Sequence, residues 1–195
     1  TICDATSAAF AMDIDWRKLD VGTFSWQKCL GGEAGHGILV LSPKAVERIN
    51  TYNPPWPIPK LFQLRKNGKL NLDIFSGATI NTPSMLCVED FLDALNWTKE
   101  VGGLSALISK SKNNLNIIKN WISDSHWADF LCEDVNNLSS TSICLKLVDP
   151  KIIDLPSEIK DNVEKNIVKL LEDHKVAFDI GSYRSAPPGL RIWGG

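Results

Sequence analysis

Two residues near the start of the chain carry side chains that could work as a pair, the carboxylate of Asp4 and the amine of Lys28. Asp4 lies in Ile2-Cys-Asp-Ala-Thr-Ser7, an acid after apolar residues and before small polar ones, as at the C-terminal end of a strand. Lys28 closes the strand-like run Thr23-Phe-Ser-Trp-Gln-Lys28 and is followed by Cys29-Leu-Gly-Gly32. An arbitrary aspartate and lysine are most often a loop carboxylate and a solvated amine. Here Lys28 is flanked by Trp26 and Leu30 and by no charge, and two strand ends can face one crevice. A lysine amine so placed can hold a carbonyl as an imine and, once released, act as a base at the neighbouring carbon.

Pyridoxal-phosphate (PLP) enzymes need such a pair. The lysine holds the cofactor, and the carboxylate pairs with the pyridinium nitrogen so that the ring acts as an electron sink. Other residues are of types that bind anions. Arg184 and Arg191 offer planar guanidinium groups suited to bidentate contact with carboxylate or phosphate. Asn81-Thr82-Pro83 reads as a helix start, with Thr82 as cap and Pro83 in the first turn, and a helix N-terminus with free N–H groups attracts phosphate. A plain cap and surface arginines are the ordinary readings of these two features.

Four stretches together resemble the phosphoserine aminotransferase branch of the class V aminotransferases. They are Asp4-Ala-Thr-Ser-Ala8; Ser25-Trp-Gln-Lys-Cys-Leu-Gly-Gly32, with twenty-four positions from acid to lysine; Asn81-Thr-Pro83; and Tyr183-Arg-Ser-Ala-Pro-Pro-Gly-Leu-Arg191. The resemblance covers essentially the whole chain, in order. It implies an α/β fold: the C-terminal portion of a fold-type I PLP-enzyme large domain, a mixed sheet with flanking helices, and then a small α+β C-terminal domain. It also implies roles. Lys28 would be the catalytic Schiff-base lysine, Asp4 would bind the pyridine nitrogen, and Gln27 would help hold the cofactor. Asn81 and Thr82 would reach the cofactor phosphate of the neighbouring subunit, in a homodimer with active sites at its interface. Arg191 would bind the substrate α-carboxylate, and Arg184 the distal phosphate or side-chain carboxylate. One departure matters. Many family members have histidine where Tyr183 stands, and tyrosine can donate a hydrogen bond but carries no positive charge.

The implied reaction is reversible amino transfer between L-glutamate and 3-phosphohydroxypyruvate, giving O-phospho-L-serine in cytoplasmic serine biosynthesis. Another class V aminotransferase, such as an alanine–glyoxylate type, is the alternative enzyme, and the arginine pair favours a dianionic substrate over it. A cysteine desulfurase would need a mobile loop bearing a nucleophilic cysteine, which is not found. A non-catalytic folded remnant is the alternative outside enzymes, because family members are longer than this chain. The chain is expected to be a fragment lacking the upstream loop that cradles the cofactor phosphate and a helix after Gly195, and so to bind PLP weakly or not at all.

The elements that must position these residues are legible in part. Leu19 to Ser25 and Ile38 to Leu41 read as strands. The run Gly31 to Gly37 leads into a strand, the wrong context for a phosphate loop, and reads as backbone room around the lysine, with His36 as loop structure. Ser42-Pro43 starts a helix that must stop by Asn53, because Pro54, Pro55, Pro57 and Pro59 follow, and Trp56 is expected to pack in that loop. Met85, Val88, Phe91, Leu92 and Leu95 mark one helix, and Leu104, Leu107, Ile108, Leu115, Ile118 and Trp121 a second that ends near Asp124. Beyond it, Trp127–Cys132, Thr141–Val148, Val176–Phe178 and Leu190–Ile192 read as strands, and Pro156-Ser157 opens an amphipathic helix. The change of character places the domain boundary at 124, giving domains 1–124 and 125–195.

With 195 residues, 44% hydrophobic and 23% charged, the chain is long enough and apolar enough to bury a core. Its net charge of −2 gives no basic field for nucleic acid or a membrane surface, and apolar runs such as Gly37–Leu41 are too short to span a bilayer. Thr1-Ile-Cys-Asp4 has neither the basic start nor the apolar run expected of a signal peptide. Five dispersed cysteines without C-x-x-C spacing, far from the three histidines, argue against zinc and for free, mostly buried thiols. Cys29 has no visible neighbouring base and reads as packing. Trp121, Trp127 and Trp193 read as core or domain contacts.

Overall fold

Short runs of apolar and β-branched residues build the first sheet: β1 (Ile2–Asp4), β2 (Val21–Phe24) and β3 (Ile38–Leu41). In the computed structural model, which describes all 195 residues, β2 is central, parallel to β1 and antiparallel to β3. The sheet is therefore mixed, as expected. The parallel pair needs a crossover, and residues 5–20 supply it without a full helix, through turns such as Ala9 N–H to Ala5 O at 2.7 Å.

Helix α1 (Pro43–Thr51) starts where Ser42 accepts the Ala45 N–H at 3.1 Å, with proline in the first turn. A two-stranded ribbon, β4 (Arg65–Lys66) and β5 (Lys69–Leu70), follows the proline-rich loop. Arg65 holds that loop, donating to the carbonyls of Tyr52 at 2.9 Å and Asn50 at 3.0 Å. Trp56 is 63% exposed, so the expectation that it packs inside the loop is not met. Arg65, and not the indole, ties the segment down.

Helix α2 (Met85–Glu100) begins later than its sequence signal. Ser84 is the cap, accepting from the Cys87 N–H at 3.4 Å, so Thr82 and Pro83 precede the helix and do not start it. Its buried positions are Cys87 and Thr98, on a different face from the exposed Met85, Leu86 and Leu92.

The chain divides into two compact units, Thr1–Leu104 and Ser105–Gly195. Helix α3 (Gly103–Ser123) ends where the periodicity stops, but nearly all of it falls in the second unit, ahead of the composition change near residue 124. The reason is packing. Leu115 and Ile122 of α3 share a core with Ala128, Ile143, Leu145 and Leu190. Those residues come from an antiparallel sheet of β6 (Ala128–Phe130), β7 (Ser142–Leu147) and β8 (Gly189–Trp193), with β7 central. Alternation in β7 sends Ile143 and Leu145 inward, and both are almost fully buried. Ser111 of α3 donates to Ser140 O at 3.2 Å, pinning the helix to the start of β7.

Helix α4 (Ser157–Asp173) adds Ile167 and Val168 to that core. The segment Val176–Phe178, expected to be extended, forms no strand, and both Val176 and Phe178 are exposed. Lys175 and Asp179 adopt left-handed backbone conformations around it, which breaks the pleat. Trp121 and Trp193 are each more than a third exposed and are not core residues, although Trp121 packs edge-on against Trp127 at 5.7 Å. All five cysteines are free, but only Cys87 is buried. No helix is long and apolar enough to cross a membrane.

Candidate functional site

Parallel pairing of β1 with β2 sets Asp4 opposite Thr23 and brings the carboxyl ends of the two strands side by side. The Ala5 N–H continues the ladder to Thr23 O at 2.7 Å. Thr6 then closes the corner. Its hydroxyl donates to Asp4 Oδ1 at 2.6 Å and its own N–H donates to the same oxygen at 2.9 Å. The Thr6 hydroxyl oxygen also accepts the Ser25 N–H at 3.4 Å, stitching the end of β1 to the end of β2. Hydrogen bonds from the Thr6 hydroxyl and N–H, which stabilise the charged form, hold the Asp4 carboxyl below the usual aspartate range. Asp4 is exposed and ionised at the strand ends.

The chain leaves β2 at Phe24, buries Trp26 and reaches Lys28, whose side chain is exposed. A tight turn follows: the Gly31 N–H donates to Lys28 O and the Gly32 N–H to Trp26 O, both at 3.0 Å. Gly31 sits at φ 69°, a conformation that favours glycine. A Cβ on Gly32 would stand 2.6 Å from Trp26 Cδ1, so the indole needs the glycine beside it. Trp26 stacks on Phe91 of α2, with centroids 4.5 Å apart and planes 15° apart. His36 ends the glycine-rich loop with its Nε2 accepting the Ser84 N–H at 2.8 Å. The lysine loop is thus braced on the buried Trp26, stacked against Phe91, and on the start of α2. Beside Lys28, Gln27 Oε1 is a buried acceptor with no hydrogen-bond partner. Burial pushes the Cys29 thiol pKa up, which is wrong for a nucleophile and right for a packing residue.

Asn81 and Thr82 lie in the exposed segment before α2, and Asn81 O accepts the Thr79 hydroxyl at 2.6 Å. The α2 N-terminus is therefore capped at Ser84, whose own N–H is already given to His36, and not at Thr82.

Asp4 ends β1, Gln27 and Lys28 follow the end of β2, and all three lie in the first unit, while Arg184 and Arg191 belong to the second. Arg191 lies on β8 opposite Cys144. Its guanidinium lies over the Tyr183 ring, 4.7 Å from the centroid, and Nη2 is 3.5 Å from Asp179 Oδ2. Arg184 is exposed on the loop before β8. That loop has an anchor that sequence reasoning missed. Glu164 of α4 accepts from Ser182 N–H at 2.7 Å and Ser182 Oγ at 2.8 Å through Oε1, and from Gly189 N–H at 3.1 Å through Oε2. In sequence Glu164 is one more charged residue on an amphipathic helix, and partners 18 and 25 positions away leave no local signal.

No family model matches the chain. It is 53% identical over all 195 residues to the phosphoserine aminotransferase of Methanosarcina mazei, of which those residues are 50%. Among solved structures, a phosphoserine aminotransferase from Cytophaga hutchinsonii superposes with a TM-score of 0.73 at 21% identity, covering 99% of this chain and 49% of that one. A PLP-bound phosphoserine aminotransferase from Trichomonas vaginalis gives 0.73 at 18% identity, covering 98% and 48%. These two likenesses speak to the fold, while the sequence match speaks to descent. Over its whole length the chain is a homologue of phosphoserine aminotransferases, spanning about half the length of the curated relatives it matches.

Proposed function

We propose that this chain is part of a PLP-dependent aminotransferase that moves an amino group between L-glutamate and 3-phosphohydroxypyruvate to give O-phospho-L-serine. The observation that supports the reading is Asp4 at the carboxyl end of β1 with Lys28 in the turn that follows its parallel neighbour β2, in a chain 53% identical over its full length to a phosphoserine aminotransferase. The residues present fit the cofactor. Asp4 is a carboxylate whose charged form is favoured by Thr6, Gln27 Oε1 is an acceptor still lacking a donor, and the glycine turn after Lys28 leaves backbone room.

Bound PLP supplies a carbonyl for covalent attachment and a ring that withdraws electrons from the substrate Cα. The chain's own residues do the rest. Asp4 holds the proton on the ring nitrogen through an ion pair, which Thr6 secures by keeping the carboxylate charged. Lys28 Nζ would anchor the cofactor through its carbonyl and, once freed, would serve as the base that takes the proton from the substrate Cα. Gln27 offers its free acceptor to a ring substituent. Arg191 binds the substrate α-carboxylate, with Tyr183 under its guanidinium, and Arg184 takes the distal phosphate or carboxylate. Asn81 and Thr82, both exposed, serve the cofactor phosphate of a second subunit in a cytoplasmic homodimer. In this reading residues 1–124 are the PLP-binding large-domain portion and 125–195 the small C-terminal domain, with α3 at the end of the first supplying Leu115 and Ile122 to the core of the second. Two guanidinium groups suit a dianionic substrate and count against an alanine–glyoxylate type.

The test is a visible absorption spectrum of the purified chain with PLP, beside Lys28→Ala. A weak visible band at high PLP concentration in the first, absent in the second, is the expected outcome. Identical spectra would remove Lys28 from the cofactor's attachment in this chain.

A further inference from the structure

The loop that carries Tyr183 and Arg184 is closed at its base by backbone pairing. Gly181 bridges Leu190, and the Arg191 N–H donates to Ile180 O at 2.8 Å. Within that base, one carboxylate grips both shoulders of the loop. Glu164 Oε1 takes the Ser182 N–H and hydroxyl, and Oε2 takes the Gly189 N–H, so two backbone amides seven residues apart converge on one side chain. An ionised acceptor makes each of these a strong hydrogen bond. Between the shoulders the only backbone hydrogen bond is the turn from Ala186 N–H to Tyr183 O at 2.9 Å. Gly181 lies against the same carboxylate, with a Cβ there meeting Oε1 at 3.4 Å. The chain of contact then continues outward: Ser182 carries Tyr183, and the Tyr183 ring lies against the guanidinium of Arg191 at 4.7 Å.

We propose that Glu164 is the positioning residue of the anion-binding loop, fixing Tyr183 and Arg184 in place and, through Tyr183, the plane of the Arg191 guanidinium. Glu164 touches no substrate in this scheme. It is a specificity element for dianionic substrates, because a loop held at both shoulders presents its cation at a set distance from Arg191, whereas a loop held at one shoulder lets that distance vary. The inference rests on the reading of Arg184 and Arg191 as the residues that bind the substrate anions.

The substitution that separates positioning from bulk is Glu164→Gln. The amide oxygen can still accept from Ser182, but the amide nitrogen then faces the Gly189 N–H, donor against donor. Binding of O-phospho-L-serine to the 195-residue chain is followed by NMR at the arginine Nε–H groups, together with hydrogen exchange at the Ser182 and Gly189 amides and a thermal melt. Glu164→Gln should speed exchange at Gly189 and weaken O-phospho-L-serine binding about tenfold, the order expected when a hydrogen bond to a charged acceptor is lost. Ser182→Ala, which removes only the hydroxyl donor, should act in the same direction and less. Faster exchange with unchanged binding, while Arg191→Lys still weakens it, would make Glu164 merely structural and overturn the proposal. No binding by the unsubstituted chain would instead overturn the anion reading itself, and the proposal with it.

Discussion

Asp4 is held by one residue twice over, since Thr6 gives it both a hydroxyl and a backbone N–H. The sign of the effect follows. A carboxyl whose folded pKa lies below its unfolded value adds stability above the unfolded pKa, and that contribution is lost as pH falls through the folded value. Asp4 is so exposed that the consequence for global stability is small, but the consequence for charge is not. Thr6→Val keeps the shape and the backbone donor while removing the hydroxyl, which is the larger cause. The Asp4 carboxyl should then titrate at a higher pH, nearer the usual value of about 3.9, as read from its side-chain carbon resonance. An unmoved titration would mean that Thr6 does not set the charge. The same corner links to Ser25, so the substitution also loosens the stitch between the two strand ends. Cys29, one position beyond the lysine, shows the opposite tuning: burial raises its thiol pKa and keeps it inert.

At the scale of elements, the central strand of the second sheet carries the most consequence. β7 pairs with β6 on one side and β8 on the other, and its Ile143 is 1% exposed in a core completed by α3 and α4. Through β8 the same strand fixes Arg191, whose backbone is paired with Cys144. Ile143→Ala should destabilise the chain by about 2–5 kcal/mol, the transfer and cavity terms of a buried large-to-small change, measured by denaturant unfolding. A loss under about 0.5 kcal/mol, typical of a surface site, would mean that the core does not close on Ile143. Helix starts show why some elements were readable in sequence and others were not. Ser42-Pro43 was legible because cap and proline act within one turn. At Thr82-Pro83 the same local grammar was present but the helix starts two residues later. Ser84 also offers a hydroxyl, and its N–H is claimed by His36, 48 positions away.

At the scale of the molecule, the notable feature is how much apolar surface faces solvent. Ile2, Leu61, Phe62, Leu72, Met85 and Leu86 are each at least two-thirds exposed, all in the first unit. Val176, Phe178 and Tyr183 of the second unit are as exposed; scattered exposed apolar residues are normal, but this many large ones mark surface suited to association. The native chain should therefore raise the fluorescence of an apolar dye such as anilinonaphthalene sulfonate before any unfolding, and the signal should fall on association. A dye signal no greater than that of a well-covered protein of similar size would show these side chains to be sheltered in solution.

Some properties of this protein belong to the amino-acid sequence alone. The Asp4–Lys28 spacing, the glycines after the lysine, the α1 cap, the extents of β3 and α3, and the resemblance to phosphoserine aminotransferases are all readable there, because each rests on neighbours in the chain or on motifs that keep their order. Other properties were decided only by the fold. Thr6 as the stitch to Ser25, His36 as the acceptor for the start of α2, Trp26 stacked on Phe91, and Glu164 as the clamp on the arginine loop all join side chains to partners far along the chain. So does the grouping of α3 with the second unit, which follows its buried Leu115 and Ile122 and not the composition of the chain around it. Periodicity and capping are short-range interactions that a sequence displays directly. Which hydroxyl, ring or carboxylate meets which strand end depends on the long-range packing that buries them, and one exposed-looking glutamate in a helix does not announce it.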